Sequence, residues 1–423
     1  MIPGTSKSKN SPRDLTVNML RTIHIEGFKS IASEALDLGR VNCFIGANGV
    51  GKSNVLEAIG ILGAAAAGRV DDESLLHRGV RAGTPTLYKA AFTGARVPPH
   101  IMLNAESEAG AGYRVALLNP LNDPQPAWSF KTENLYAGQS GNLVTRGVKS
   151  VNLEPTAGLA ALRLVDIPAG SPPAKLMSGL KNYAIYCPNT PVLRGLEPDS
   201  QARAPVGLCG GRLAEAVQEL KRQLDKDSSD DSRADVQAGL DENLFESVIE
   251  LLDWVDDLDT TDAPGALLSS SVPRGRLVLR FRDRFMSQSR NQLTAYDASE
   301  GALYVLFTAV LCLSDAAPQI LAIDNLDQAL NPRLATRLTA SLSHWLERSN
   351  PHRQLLFTAH NPAVLDGLDL ADDGVRLFAV ERTTQGQTRC RRIRPTQELL
   401  EQNRQYPLSR LWLRGDLGAV PNV

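Results

Sequence analysis

The sequence predicts an α/β protein: a mainly parallel sheet covered by helices, interrupted by an antiparallel β subdomain and a helical lid insertion. Three observations predict it. The short buried strand VNCFIG runs into the turn GANGVGKS and then into SNVLEAIGILGAAAAG, whose apolar residues recur at helical spacing. From Gly275 onward, strand and helix patterns alternate, as in a sheet whose parallel strands are joined by helices. Between these ends, several short runs alternate with period two and then give way to amphipathic helical stretches.

Taken in order, residues 1–18 are polar and lack an apolar core, so they are expected to form a flexible tail, with Met19 a natural start. LRTIHIEGFKSI alternates from Leu20, and with VNCFIG it reads as two strands meeting at a sheet edge. Short strands between Thr84 and Val165, among them HIMLNAESEAGAGYRVALL and AWSFKTENLYAG, form the antiparallel subdomain, so that 19–165 is one unit. Within 166–272, GRLAEAVQELKRQL and ENLFESVIELLDWVDDL make the helical lid, separated by the solvated stretch DKDSSDDSRADVQ; no heptad run joins them into a coiled-coil arm. The last unit, 273–423, carries GRLVLRFRDRF, a long apolar helix from Ala302, QILAID, a helix from Arg333 and RQLLFTAH.

With 45 basic against 47 acidic side chains, no bulk field draws the chain to nucleic acid or anionic membrane, and any such contact must be a local patch. Cys43, Cys187, Cys209, Cys312 and Cys390 are scattered and form no CxxC pair, which argues against a disulfide framework or zinc site and fits a reducing cytoplasm. The longest apolar run, LYVLFTAVLCL, falls short of the roughly 20 residues that span a bilayer.

The strongest motif is Gly46 to Ser53, a complete GxxxxGKS between strand and helix. Its backbone, through Gly46, Asn48, Gly49 and Gly51, can curl around the phosphates of ATP; Lys52 adds charge at the β and γ positions, and Ser53 reaches Mg²⁺. Asp324, ending ILAID, is the second expected Mg²⁺ contact. His360 in TAHNPAVLD follows a strand that should lie near this loop, as a γ-phosphate sensor or as a structural histidine. Ser299 and Gly301 in DASEGAL open a helix, either to receive a phosphate or as an ordinary cap.

In sequence order, GANGVGKS, SEG, ILAID, DQALN and TAH resemble the ABC-type ATPase heads of the SMC, RecF and OLD-like group, often labelled AAA-family ATPases, and IHIEGFKSI is similar to their first strand. The resemblance spans roughly 20–68 and 276–368. It implies a P-loop NTPase of ABC/SMC-head type, in which two heads sandwich two ATP molecules. Ser299, Glu300 and Gly301 then correspond to the signature that reaches the γ-phosphate in trans, Asp327 to Asn331 to the loop crossing the dimer interface, and His360 to the switch histidine. A homodimer or higher homo-oligomer is implied.

Two departures stand out. No glutamine lies between Asn54 and Pro124, where these heads have one; His77 is a substitute candidate, with a surface or structural role the alternative. Asn325 stands where a catalytic Glu commonly follows the Asp, and an amide orients water but takes no proton. Either Asp327, three residues after Asp324, supplies the acid, or hydrolysis is slow and ATP acts as a long-lived clamp.

The resemblance suggests an ATPase that controls a separate effector, such as a nuclease in anti-phage defence. Only 63 residues follow His360, too few for a typical nuclease domain, and Asp366, Asp369, Asp372 and Asp373 read as a solvated turn. The C-terminal LSRLWLRGDLGAVPNV either docks a partner or packs back on the core. The alternatives are a RecF-like DNA-binding repair ATPase, with a footprint at Arg389, Arg391, Arg392, Arg394, Arg146 and Lys149, or an ATP-held scaffold. A transporter subunit is disfavoured by the long span between Ser53 and Ser299 and the lack of LSGGQ.

Overall fold

The computed structural model describes residues 19–138, 141–147, 153–229, 238–273 and 275–419. The expected tail before Met19, Lys149 and the acidic stretch 230–237 lie outside them.

The strands run in chain order as β1 (Leu20–Phe28), β2 (Ile31–Asp37), β3 (Val41–Ile45), β4 (His100–Ser107), β5 (Ala111–Leu118), β6 (Ser129–Ala137) and β7 (Asn142–Arg146). There follow β8 (Ala184–Tyr186), β9 (Val255–Thr261), β10 (Val278–Asp283), β11 (Gln292–Thr294), β12 (Ile320–Ile323), β13 (Gln354–Thr358), β14 (Val375–Arg382) and β15 (Thr388–Ile393). They form three sheets. The central one has the order β15-β14-β3-β13-β12-β8, parallel throughout except for the antiparallel edge strand β15. Strands β3, β8, β12 and β13 are buried at every position, the mark of a sheet covered on both faces.

An antiparallel sheet, β2-β1-β4-β5-β6-β7, stands beside it, and β11-β10-β9 makes a small third one. The antiparallel subdomain is therefore present, but β1 and β2 belong to it while β3 sits mid-sheet in the core. The three do not share an edge, because alternation in β1 marks a half-buried antiparallel strand and continuous burial in β3 a covered parallel one. GRLVLRFRDRF likewise pairs in the small sheet instead of the parallel one. The span expected to be a helical lid, 166–272, also supplies β8 to the core and β9 to the small sheet; a three-residue strand such as Ala-Ile-Tyr is too short to show a period.

Alternation along the core strands divides the interior in two. Val41, Cys43, Ile45, Leu321 and Ile323 point into one core with the helix Glu300–Leu313, while Phe44, Ile320 and Ala322 point into the other with the helix Lys52–Ala66. These two helices thus cover opposite faces of one sheet. Glu300–Leu313 is buried at each position from Ala302 on, as an all-apolar helix must be. The C-terminal segment packs back on the core: Leu411, Trp412 and Leu417 are buried and Ser409 caps onto Asp366.

Candidate nucleotide site

The motifs at the carboxyl ends of β3, β13 and β12, neighbours in the sheet, converge there, the usual place for a ligand in such sheets. After β3 the chain turns through Gly46 at φ 149°, where a Cβ would lie 2.2 Å from the Val380 carbonyl oxygen, so only glycine fits. Gly51 (φ 107°) is equally constrained, with Thr388 Oγ1 2.3 Å and Ser30 Oγ 2.8 Å from a would-be Cβ. Those hydroxyls belong to a buried cluster: Thr388 Oγ1 donates to the Val50 carbonyl (2.6 Å), Ser30 and Thr388 hydroxyls share a 2.6 Å bond, and Asn54 Nδ2 donates to Ser30 Oγ (2.7 Å). Three segments distant in sequence thereby fix the back of the loop, leaving Asn48 and Gly49 exposed at its tip.

Lys52 is 5% exposed and its Nζ donates to the carbonyls of Gly46 (2.8 Å) and Ala47 (3.0 Å), which curl the loop around the ammonium. Burial pulls its pKa down to about 8, against the charges of Asp324 and Asp327. Asp324 Oδ1 accepts from Ser53 Oγ (3.0 Å) and Thr358 Oγ1 (2.6 Å). A hydroxyl and a carboxylate facing each other at this distance suit Mg²⁺, which takes one or two protein oxygens and the rest from phosphate and water. Among the described residues no group of three or more His, Cys, Asp or Glu could hold a metal ion.

Asn325 adopts the left-handed conformation, φ 59°, which asparagine tolerates better than glutamate does. Its backbone N–H donates to Thr358 Oγ1 (2.8 Å), and its side-chain Oδ1 lies 3.0 Å from His360 Nε2. His360 Nδ1 is 3.4 Å from Lys52 Nζ. One tautomer satisfies both contacts: Nε2–H donates to Asn325 and Nδ1 accepts from Lys52. Burial first, then the Lys52 charge, holds the imidazole below its usual pKa, consistent with that neutral form at pH 7. Asp327 is 8% exposed; its Oδ2 accepts from the backbone amides of His360 (2.9 Å) and Asn361, while its Oδ1 is buried without a hydrogen-bond partner.

Residues 169–366 match the family model described as an AAA domain, putative AbiEii toxin, Type IV TA system, and 19–76 match an AAA ATPase domain model. Among solved structures, an SMC head bound to the C-winged helix domain of ScpA aligns over 90% of this chain and 99% of that one, at 12% identity and a TM-score of 0.52. The chain has the fold of an SMC/ABC-type ATPase head. An SMC head from Thermotoga maritima aligns over 89% and 99% (14% identity, TM-score 0.42), and a Pyrococcus furiosus SMC head with an extended coiled coil, bound to the C-terminal domain of ScpA, over 91% and 99% (12%, 0.49). No curated protein sequence matches the chain.

Within this fold Ser299 caps the helix Glu300–Leu313, accepting from the Ala302 amide (3.4 Å), on the face of the sheet opposite the P-loop helix. Ser299 and Glu300 are exposed, and Gly301 lies against Ala329 of the DQALN loop, whose Gln328 and Ala329 are also exposed. His77 is not brought to the site: its surroundings are Arg203, Arg78, Gln201 and Glu73, and burial, then Arg203, lowers its pKa. Arg146 is buried and donates to carbonyls including that of Ala157 (2.6 Å), so it offers nothing to DNA. Arg389 and Arg392 pair with Glu34 and Asp37, and Arg391 donates to the Leu417 carbonyl; Arg394 is exposed. Among the described residues no helix is long and apolar enough to cross a membrane.

Sequence reasoning missed Thr358, which ties Asp324 to Asn325, and the charged group of Glu57, Lys29 and Arg81 behind Ser53. The signal for Glu57 was legible: an acid four residues after Ser53, in a helix whose residues from Val55 to Ala66 are otherwise buried and apolar.

Proposed function

We propose that this head binds ATP with Mg²⁺ and hydrolyses it slowly, that two copies close over the nucleotide, and that closure controls a separate effector. The observation that carries this is the separation of two half-sites. Lys52, Ser53, Asp324 and His360 converge at one end of the sheet, while exposed Ser299 heads a helix on the opposite face and has no hydrogen bond to them. A second copy could supply the Ser299 side of the sandwich, an isologous arrangement.

Within one chain, the loop amides and Lys52 would hold the phosphates, and Ser53 and Asp324 the metal, whose charge offsets that of the phosphates. A cleft of about 510 Å³ beside Ser30 and Asn54, also lined by Lys29, Thr86, Lys89 and Arg382, can take the nucleoside. His360 and Asn325 orient the attacking water, and Asp327 Oδ1, the acid oxygen left without a partner, takes its proton. Slow turnover follows from the amide at Asn325. An effector in bacterial defence agrees with the toxin and Type IV TA system wording of the family matched over 169–366, and docking of a partner with the ScpA domain bound to the similar SMC head.

Mixing two inactive variants tests the arrangement. Lys52→Ala and Ser299→Arg should each abolish turnover. Mixed, they form heterodimers with one intact site, restoring about a quarter of wild-type activity. No restoration, with mass doubling on ATP intact, would refute the arrangement in trans.

A further inference from the structure

Glu57 lies one helical turn beyond Ser53, on the same face of the P-loop helix, and is 2% exposed. A buried carboxylate there needs compensation, and it has two cations. Its Oε1 accepts from Arg81 Nε (2.6 Å) and the Arg81 amide (3.3 Å), and its Oε2 from Arg81 Nη2 (3.2 Å) and from Lys29 Nζ. This is a two-pronged guanidinium contact with an ammonium added.

Both cations are aimed by further contacts. Arg81 Nη2 reaches Asn54 Oδ1 (3.3 Å), the residue next to Ser53, and the Arg81 carbonyl accepts from Tyr88 Oη (2.8 Å). Lys29 sits at φ 47°, its amide donating to the Tyr88 carbonyl (2.9 Å) and its ammonium 5.2 Å from the Tyr88 ring centroid. Lys29 lines the cleft beside the P-loop, whereas Arg81 feels the field of Asp324 on the metal side. The Arg81 side chain remains 65% exposed, so its charge is held in place yet open to a ligand. Burial alone would raise the Glu57 carboxyl; the bond and charge of Arg81, with those of Lys29, outweigh it and hold the group below the usual range.

We propose that Glu57 is a positioning residue for nucleotide binding, holding Lys29 and Arg81 as two fixed cations side by side next to the P-loop helix, where they meet the nucleotide. This rests on the nucleotide reading above and adds three residues to it. The geometry explains why an apolar helix keeps a buried acid: without it both cations swing into solvent.

The test measures Kd for MgATP and MgADP by calorimetry, KM and kcat, and the thermal midpoint, on the full chain carrying Glu57→Gln, Arg81→Ala, Lys29→Met or the Glu57→Gln/Arg81→Ala pair. Glu57→Gln and Arg81→Ala should each weaken MgATP by about tenfold or more, and the pair by little more than the worse single, because the two act as one unit. KM should rise more than kcat falls. A purely structural Glu57 would instead lower the thermal midpoint and leave Kd and KM alone, and that result overturns the inference. Should Glu57→Gln not fold, Arg81→Ala and Lys29→Met decide it, and wild-type affinity in both overturns it. Wild type failing to bind MgATP would sink the nucleotide reading itself, whereas normal wild-type binding with unaffected variants sinks only the role of Glu57.

Discussion

Replacing Asp327 by Asn separates the two duties its carboxylate is placed to perform. Oδ2 anchors the His360 and Asn361 amides, and Oδ1 has no partner. An asparagine can turn its carbonyl oxygen to the two amides and leave its NH₂ where Oδ1 was. The anchor then weakens from a charged to a neutral acceptor, a loss of about 1–2 kcal/mol in stability. The proton acceptor is lost outright, which costs about 10²- to 10⁴-fold in kcat, or roughly 3–5 kcal/mol of barrier. Single-turnover hydrolysis of radiolabelled ATP, beside calorimetric ATP binding and a thermal melt, reads all three quantities. The expected result is intact binding, a slightly lower melting point and a collapse of hydrolysis. Turnover within about threefold of wild type would refute the assignment of Asp327 as acceptor, since loss of a general base cannot be that mild. Hydrolysis would then have to proceed by positioning alone.

Two further outcomes follow from the site. Lys52 titrates near 8 in the free head, while an unfolded lysine holds its proton to about 10.4. Between those values the unfolded chain binds more protons, so this group's contribution to stability rises with pH from about 8 and levels off near 10.4. ATP favours the ammonium, so above about pH 8 binding takes up a proton and affinity falls by up to about tenfold per pH unit; calorimetry in buffers of different ionisation enthalpy checks the uptake. Gly51→Ala forces a Cβ to 2.3 Å from Thr388 Oγ1 at φ 107°, and should cost about 2–4 kcal/mol. Gly49→Ala, also at positive φ but with nothing within 4 Å, should cost only about 1–2 kcal/mol, and thermal unfolding of the two side by side measures the difference.

The nucleotide half of the site was legible because its chemistry is local: GANGVGKS states its own turn, and Asp324 and His360 each follow closely on a strand buried along its length. What was not legible depends on which sheet a strand joins. Period-two alternation identified β1 and β10 as strands but cannot say that they leave the core sheet, and β8 is too short to carry any period. His77 looked suitable by position alone, yet it lies beside Arg203, while Arg81, four residues on, occupies the place beside Asn54. Arg146 showed the same failing in reverse: a basic side chain on an alternating strand resembles a solvated face until its carbonyl partners are known.

The hydroxyl knot of Ser30, Asn54 and Thr388 also sets an order of events during synthesis. The P-loop leaves the ribosome early, but the group that grips the Val50 carbonyl arrives some 338 residues later, on an edge strand. Until β15 docks, the loop has its glycines and lysine but not its backing. Contacts this distant in sequence close slowly. A nascent or truncated chain lacking β15 therefore presents a phosphate loop without a fixed shape, and tight nucleotide binding becomes a sign that both ends of the head have met.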